Sequence, residues 1–490
     1  MHPSVIDALL DRLTSYRLVL YSLLAFVVWA IFASLIGEIA FEWYEILASA
    51  AWLVVVCVAV NFAAAKLLNI PVNKESDYIT ALILALILAP ARDFNDYLIL
   101  AAAGSVAMLS KYALVYGKRH VFNPAALGAF TVAALFDYVP AWWVGTAVIV
   151  PLVFVAGQLI LRKMKRYSMV SVFMAIYLGY LVLNFFAKDQ SGELFNVIWL
   201  GLTATPVLFF AYIMLTEPST SPHKLNQSLI YAVLVAVLYS VTSFNLAPEE
   251  ALLLGNAAAF IMAPSRRLEL SFKQKRKEAN DIYSYIFGSK NNIRFRAGQY
   301  MEWTLPMAKA DLRGNRRYFT ISSAPTEDNL MFTIKEPAPR SSFKSALGEL
   351  KAGDKMLAYQ LEGSFVLPKD VGQKLAFLAG GIGVTPFRSI IKYLLDTDQK
   401  RDIALLYSAD SADEFAFTGL FKESSKAGVA TRYVTGQIDA KIINTVVPDY
   451  NERIFYVSGP YGFVTAMQRA LIKMGLPRRS IITDYFPGYS

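Results

Sequence analysis

Ten apolar runs occupy most of the chain between residues 18 and 263, a series that suits a bilayer better than a water-soluble core. They fall at 18–37, 46–65, 78–91, 97–113, 122–138, 139–160, 168–187, 194–215, 226–244 and 249–263. An even number of crossings puts both ends on one side. The first run, at about twenty residues, exceeds the apolar region of a cleaved leader and has no small-residue cleavage site behind it, so it reads as a retained span. Composition agrees: 56% of the 490 residues are hydrophobic and the mean hydropathy is +0.41. The apolar excess ends near residue 264, where charges become frequent.

Basic residues fall on alternate loops. Lys66, Lys74, Lys118, Arg119, Lys224 and the 162–166 loop lie on the side of the N-terminus, against Arg92 and Lys188 on the other. The bias predicts a multi-pass protein of the cell (inner) membrane, in contact with lipid, with the N-terminus and everything after residue 264 in the cytoplasm. It also explains a net charge of +9 without nucleic acid. The basic stretch from Arg266 to Lys277 is expected to lie against anionic headgroups. A single cysteine, Cys57, excludes an intrachain disulfide, a CxxC zinc site and a four-cysteine iron–sulfur cluster. Three histidines, His2, His120 and His223, are too few to hold two haems between facing helices.

Two runs are interrupted. One is closed by Pro90, and another opens at Phe122-Asn123-Pro124-Ala125-Ala126; interrupted membrane helices often surround a site. Asn123-Pro124-Ala125-Ala126-Leu127-Gly128 is echoed by Leu254-Gly255-Asn256-Ala257-Ala258-Ala259. With five spans per unit the echo would be an inverted repeat, or else small residues recurring wherever helices pack closely. Lys111, Asp77 and Glu217 sit where charge is costly, either as functional groups or as snorkelling and capping residues near span ends.

Ser76-Asp77-Tyr78-Ile79-Thr80-Ala81, Lys111, Phe122-Asn123-Pro124-Ala125-Ala126 and Leu215-Thr216-Glu217-Pro218-Ser219-Thr220 resemble the NqrB and RnfD membrane subunits of ion-translocating NADH or ferredoxin oxidoreductases. The resemblance covers roughly residues 15–264 and implies ten spans and a flavin, FMN or riboflavin, within the membrane half near Lys111 and Asn123. That family attaches FMN to a threonine in a Ser-Gly-Ala-Thr sequence, which this chain lacks. Thr203-Ala204-Thr205-Pro206 is the nearest approach and reads as helix packing inside a span, so the second flavin is expected to be non-covalent.

From about 268 to 370 the pattern is one of short alternating strands with glycine turns, which suits an antiparallel barrel. From 371 to 490 apolar strands alternate with helices, the signature of a parallel sheet. The expected architecture is therefore multi-domain: a polytopic helical membrane domain (1–264), a β-barrel (268–370) and an α/β domain (371–490). In Arg316-Arg317-Tyr318-Phe319-Thr320-Ile321-Ser322-Ser323 a guanidinium, a ring and hydroxyls follow one another along one strand. Gly380-Gly381-Ile382-Gly383-Val384-Thr385-Pro386 follows a strand and opens a helix, so its N–H groups can meet a pyrophosphate.

These two motifs, with Ser458-Gly459-Pro460 and a near-terminal Phe486, resemble the ferredoxin–NADP reductase family over residues 268–490. The resemblance implies FAD and NAD(P)H as cofactor and substrate. Arg317 would hold the flavin phosphate, Phe319 would stack on the flavin in place of the usual tyrosine, and Thr320 would bond near N5, with Tyr318 and Ser322 alongside. Ser341 and Ser342 would face the flavin pyrophosphate. Gly380, Gly381, Gly383, Thr385 and Pro386 would take the dinucleotide, with Gly459 and Pro460 opposite. Ser458 replaces the cysteine many members place beside the nicotinamide, and Phe486 would cover the flavin ring.

The resulting expectation is an NAD(P)H oxidoreductase that passes electrons from FAD to a membrane flavin, then to quinone or an extracytoplasmic acceptor, with partner subunits open. The alternative is a flavin carrier or sensor regulated by its reductase half.

Overall fold

The computed structural model describes residues 10, 13–68, 74–116, 119–187, 193–262, 268–289, 293–307 and 314–486. The chain divides into two compact units, one covering Leu9–Arg266 and the other Arg267–Ser490.

The first unit is helical. It contains α1 (Ser15–Leu35), α2 (Trp43–Leu68), α3 (Lys74–Ile87), α4 (Phe94–Ala113), a ribbon of β1 (Val115–Tyr116) and β2 (Arg119–His120), α5 (Pro124–Phe136), α6 (Val150–Met164), α7 (Tyr167–Ala187), α8 (Leu194–Thr203), α9 (Val207–Met214), α10 (Leu225–Ser240) and α11 (Pro248–Met262). Each of the ten apolar runs overlaps one or more of these helices. Among the described residues, α1, α2 and α7 are long and apolar enough to cross a membrane alone. The pair α8 and α9, bent by 59°, reaches that measure together. Lys118, Lys188, Arg266 and Arg267 lie outside the described residues, as do the side chains of Lys74 and Arg119.

Two expectations are corrected. The run 139–160 holds a single 3-10 turn at Trp143–Gly145 and becomes α-helical only at Val150. Before it, the Trp142 N–H donates to Ile87 O at 2.8 Å, and the Trp143 indole N–H reaches Ala85 O and Leu88 O at 3.0 and 2.9 Å. These bonds satisfy carbonyls left open where α3 stops ahead of Pro90. The run 194–215 breaks at Ala204–Pro206, because Pro206 lacks the N–H needed to continue the helix. Both nearby hydroxyls bond back into the helix, Thr203 to Trp199 O at 2.8 Å and Thr205 to Gly201 O at 2.5 Å. The basic residues after position 267 lie in a strand of the second unit. Its Lys275 is half-buried, bonded to Glu336 at 3.0 Å and placed over the Tyr283 ring at 4.0 Å.

The second unit opens with β3 (Leu268–Ala279), β4 (Ile282–Ser289), β5 (Tyr300–Thr304), β6 (Arg316–Thr320), β7 (Leu330–Lys335) and β8 (Lys355–Glu362). They form one antiparallel sheet in the order β6-β5-β8-β3-β4-β7. Just past the end of β6, the Ser322 N–H donates to Met331 O of β7 at 2.7 Å, which ties the two outer ends of the sheet together. Trp303, Tyr285, Phe287 and Phe332 fill the interior, each fully buried. Truncating Phe332 to alanine should cost about 3–5 kcal/mol.

Five parallel strands follow: β9 (Leu375–Gly380), β10 (Ile403–Ala409), β11 (Val429–Thr435), β12 (Ile454–Pro460) and β13 (Ile481–Phe486), in the order β11-β10-β9-β12-β13. The middle strands β9 and β10 are buried along their whole length, as expected where both faces of a parallel sheet are covered. The order reverses between β9 and β12. Open α/β sheets take ligands in the crevice beyond the strand ends at such a switch.

Candidate functional site

The two glycine-containing motifs meet at the switch between β9 and β12. Strand β9 runs into Gly381–Val384, and α13 (Thr385–Asp396) starts at once, with Pro386 in its first turn. Here α12 is the short helix Ser342–Gly348 between β7 and β8. Gly381 has φ +53° and faces open space, a conformation a side chain would resist. Gly383 is forced by contact, since a Cβ there would fall 2.2 Å from Ser458 O and 2.5 Å from Gly459. The loop thus needs glycine in order to lie against the end of β12. Thr385 braces it from within, its hydroxyl donating to Ile382 O at 3.1 Å.

Ser458 sits in β12 in register with Ala379 on one side and Asp484 on the other. Its residue is fully buried, and no hydrogen-bond partner of its hydroxyl is found among the described residues. The Thr320 hydroxyl at the end of β6 is in the same condition, with the residue 3% exposed. A buried polar atom left unbonded costs roughly 1–3 kcal/mol, so native proteins rarely keep one without a use. Such orphans also occur elsewhere, at Thr146 and Ser240 in the helical unit. Thr320 and Ser458 are distinguished by their places in the second unit, Thr320 at the end of β6 and Ser458 near the end of β12 at the switch point.

Around Thr320 the antiparallel sheet supplies a polar wall. Tyr300, its partner across the strands, donates to Glu362 at 3.3 Å, and burial followed by that carboxylate raises the phenol's pKa. Asp484 adds to the same shift. Tyr318 keeps 52% of its surface exposed but turns its hydroxyl to Glu302 at 3.1 Å. Burial of that hydroxyl, then the Glu302 and Glu362 carboxylates, holds it well above the usual phenol range. Both tyrosines therefore stay neutral at physiological pH.

Other expected residues are placed as follows. Arg317 donates to Gly314 O at 3.0 Å and Arg316 O at 2.7 Å, and its guanidinium lies 4.8 Å from the centre of the Phe343 ring. Phe343 belongs to α12, whose cap is Ser341, accepting from the Lys344 N–H at 3.3 Å. The structure thereby sets Arg317 against the helix that Ser341 caps and Ser342 opens. Phe319 turns inward and stacks on Phe332, ring centroids 4.7 Å apart at 21°. Ser322, expected at the cofactor, instead ties the outer ends of the sheet together: it is fully buried and bonded to Met331 O at 3.0 Å and the Thr333 hydroxyl at 2.9 Å. Gly459 and Pro460 end β12, and the backbone of Phe486 pairs with Pro460, while the Phe486 side chain lies outside the described residues.

Sequence reasoning missed Arg388, Ser389 and Glu327. Arg388 sits on α13 among buried Phe387, Ile390 and Ile391 yet is itself 7% exposed. A charged residue flanked by the apolar face of a helix was the available signal.

In the helical unit, Asn123 caps α5 by accepting from the Ala126 N–H at 3.0 Å, and Pro124 begins the helix. Asn123, Pro124, Ser76, Thr80, Tyr16 and Glu217 are among the residues lining a small cleft of about 50 Å³. Lys111 does not line it. Its ammonium bonds Ser76 O and Oγ, both at 3.0 Å, with Asp77 Oδ1 at 3.8 Å. Asp77 in turn accepts from Asn61 at 2.8 Å, and Asn61 from the Tyr112 hydroxyl at 2.6 Å. The lysine charge is thus balanced inside the unit, one residue behind the cleft.

Residues 377–469 match the family model of the oxidoreductase NAD-binding domain. Among curated relatives, the chain is 24% identical to flavohemoprotein A of Dictyostelium discoideum over 237 residues, 44% of this chain and 60% of the relative. It is 24% identical to the flavohemoprotein of Bacillus subtilis, over 44% of this chain and 57% of that one. The ferredoxin reductase component of the 3-ketosteroid-9-alpha-monooxygenase of Mycolicibacterium smegmatis is 26% identical over 45% of this chain and 66% of its own length. The chain therefore spans about 60% of the length of these flavohemoproteins. Among solved structures, an Amycolatopsis cytochrome P450 reductase matches at a TM-score of 0.41 and 22% identity, over 45% of this chain and 70% of that one. The family match and the curated relatives bear out the expectation of a flavin- and nicotinamide-dependent reductase module in this chain, with FAD and NAD(P)H as its cofactors.

Proposed function

We propose that the protein is a membrane-bound NAD(P)H oxidoreductase in which the C-terminal unit accepts hydride from cytoplasmic NAD(P)H at FAD. Electrons then pass to a flavin in the helical unit, and on to quinone or an extracytoplasmic acceptor. The observation that carries the reading is the glycine loop packed against the end of β12 at the switch point, with the buried, unbonded hydroxyl of Ser458 in β12 and a second such hydroxyl, Thr320, at the end of β6. Bound FAD would supply the conversion of a two-electron donor into single-electron steps, chemistry that the protein orients.

The chain's own residues have distinct tasks in this reading. Arg317, with Ser341 and Ser342, holds phosphate. The Thr320 hydroxyl offers a hydrogen bond at the reacting edge of the flavin, and Phe486 covers the ring until nicotinamide arrives. The glycine loop, with Thr385 and Pro386, accepts the dinucleotide, and Ser458 meets the nicotinamide side with Gly459 and Pro460. In the helical unit the NqrB/RnfD-like segments around Asn123 support a second, non-covalent FMN or riboflavin among about ten spans. Lys111 acts there through Ser76, since its charge is already paired with Asp77. The domain limits 1–264, 268–370 and 371–490 and the cytoplasmic placement of the termini belong to the same proposal.

The segments around Asn123 also favour a second reading, a flavin carrier or sensor governed by the reductase unit. Anaerobic addition of NADH to the purified full-length protein separates the two. Loss of flavin absorbance followed by reoxidation with a quinone supports electron transfer, whereas flavin that binds and is never reduced supports the carrier.

A further inference from the structure

We propose that Arg388 is a positioning residue that sets the spacing between the flavin strand and the nicotinamide loop; the inference rests on the reading above, that hydride crosses between the Thr320 and Ser458 sides. Arg388 is the fourth residue of α13, the helix opened by the glycine loop. Its Nη1 donates to Ser322 O at 3.0 Å, two residues past Thr320. Both guanidinium ends also pair with Glu327, Nη2 to Oε1 at 2.9 Å and Nη1 to Oε2. Glu327 in turn accepts from the Ala324 N–H at 2.5 Å, which closes the turn after the flavin strand. The next residue grips the next carbonyl: the Ser389 hydroxyl donates to Ser323 O at 2.6 Å. A third tie joins Thr326 to Asp396 at 2.5 Å, near the far end of the same helix.

A leucine at position 388 would suit the apolar neighbours without the cost of desolvating a charge. Buried ion pairs contribute little net stability against such a replacement, and their clearer effect is to fix one geometry. The planar, two-ended arginine–carboxylate pair is well suited to that, because it holds direction as well as distance. The geometry fixed here is the offset between two chain segments. One is Thr320 to Ser323. The other is α13, whose start follows directly on Gly383, packed against Ser458 O. Sliding α13 along Ser322–Ser323 would change the separation of Thr320 from Ser458 while leaving each half-site intact.

Misplacing reacting groups by about 1 Å can slow a reaction on the order of 100-fold. The test uses full-length protein in detergent and compares wild type with Arg388→Lys, Arg388→Ala and Glu327→Gln. Flavin content, nicotinamide affinity and the rate constant for flavin reduction by NADH after rapid anaerobic mixing are measured, the rate being read only on the FAD-loaded fraction. Expected are near-normal affinity and a reduction rate lowered roughly 10- to 100-fold in Arg388→Ala, with a smaller fall in Arg388→Lys and Glu327→Gln. A wild-type rate in the loaded fraction of Arg388→Ala overturns the proposal, whether or not total FAD falls. A loss confined to nicotinamide affinity overturns it as well. Wild-type protein whose FAD is not reduced by NADH overturns the underlying reading, and this inference with it.

Discussion

The backbone N–H of Asn123 donates to the side-chain oxygen of Asn256 at 2.9 Å, joining two stretches 133 residues apart whose sequences echo one another. Asn256 is fully buried and its amide N–H donates to the Tyr231 hydroxyl at 3.2 Å. The residue that opens the interrupted helix α5 is thus held by its counterpart in α11. Replacing Asn256 by leucine leaves the Asn123 N–H and the Tyr231 hydroxyl without this partner. The expected cost is about 1–3 kcal/mol, read as a lower midpoint of thermal unfolding of the full-length protein. An unchanged midpoint would show that the bond contributes little.

Arg317→Ala should lower FAD per polypeptide, because it removes the charge grouped with Ser341 and Ser342 beside α12. Phe486→Ser serves as the contrast, changing nicotinamide affinity while FAD is retained. Absorbance in the flavin bands against protein concentration reads both. Full FAD occupancy in Arg317→Ala would count heavily against the phosphate assignment.

The glycine loop and the succession of antiparallel and parallel sheets were legible in the sequence because each depends on local pattern. Gly380-Gly381-Ile382-Gly383 between a buried strand and Pro386 fixes a turn by itself. What was not legible depends on partners far along the chain. Lys111 looked available until Asp77 and Ser76 were found against it, 34 and 35 residues away. Ser322 looked like a cofactor ligand, but Met331 and Thr333 claim its hydroxyl. The run 139–160 has the hydropathy of a span, yet Trp142 and Trp143 serve the open end of α3 and delay the helix to Val150.

Asp410 directly follows β10, where the adenosine ribose of a dinucleotide would lie, and it is exposed. A carboxylate there disfavours a 2′-phosphate, so NADH should be preferred to NADPH. Asp410→Ala should narrow that preference by roughly tenfold in kcat/KM, about 1.4 kcal/mol. A wild-type preference for NADPH would overturn the assignment.

Asp449 is held down to about 2 chiefly by its bonds to Arg453, at 2.7 and 3.0 Å, with Lys374 at 3.1 Å adding to the effect and partial burial opposing it. Its pKa is depressed in the folded state, so its contribution is present above the ordinary carboxylate range and is lost as pH falls through the folded value. The pair lies near the surface, so less than about 1 kcal/mol is expected. Asp449→Asn should therefore lower urea stability at pH 7 and have little effect near pH 2. An equal loss at both would contradict the ion-pair account.

Anaerobic titration of the purified full-length protein with NADH, with the released flavins identified after denaturation, tests the central claim most directly. The account predicts one FAD and one non-covalent FMN or riboflavin per chain, both losing their absorbance as NADH is added. Flavin that keeps its absorbance in excess NADH, or a single FAD with nothing bound elsewhere, would contradict it.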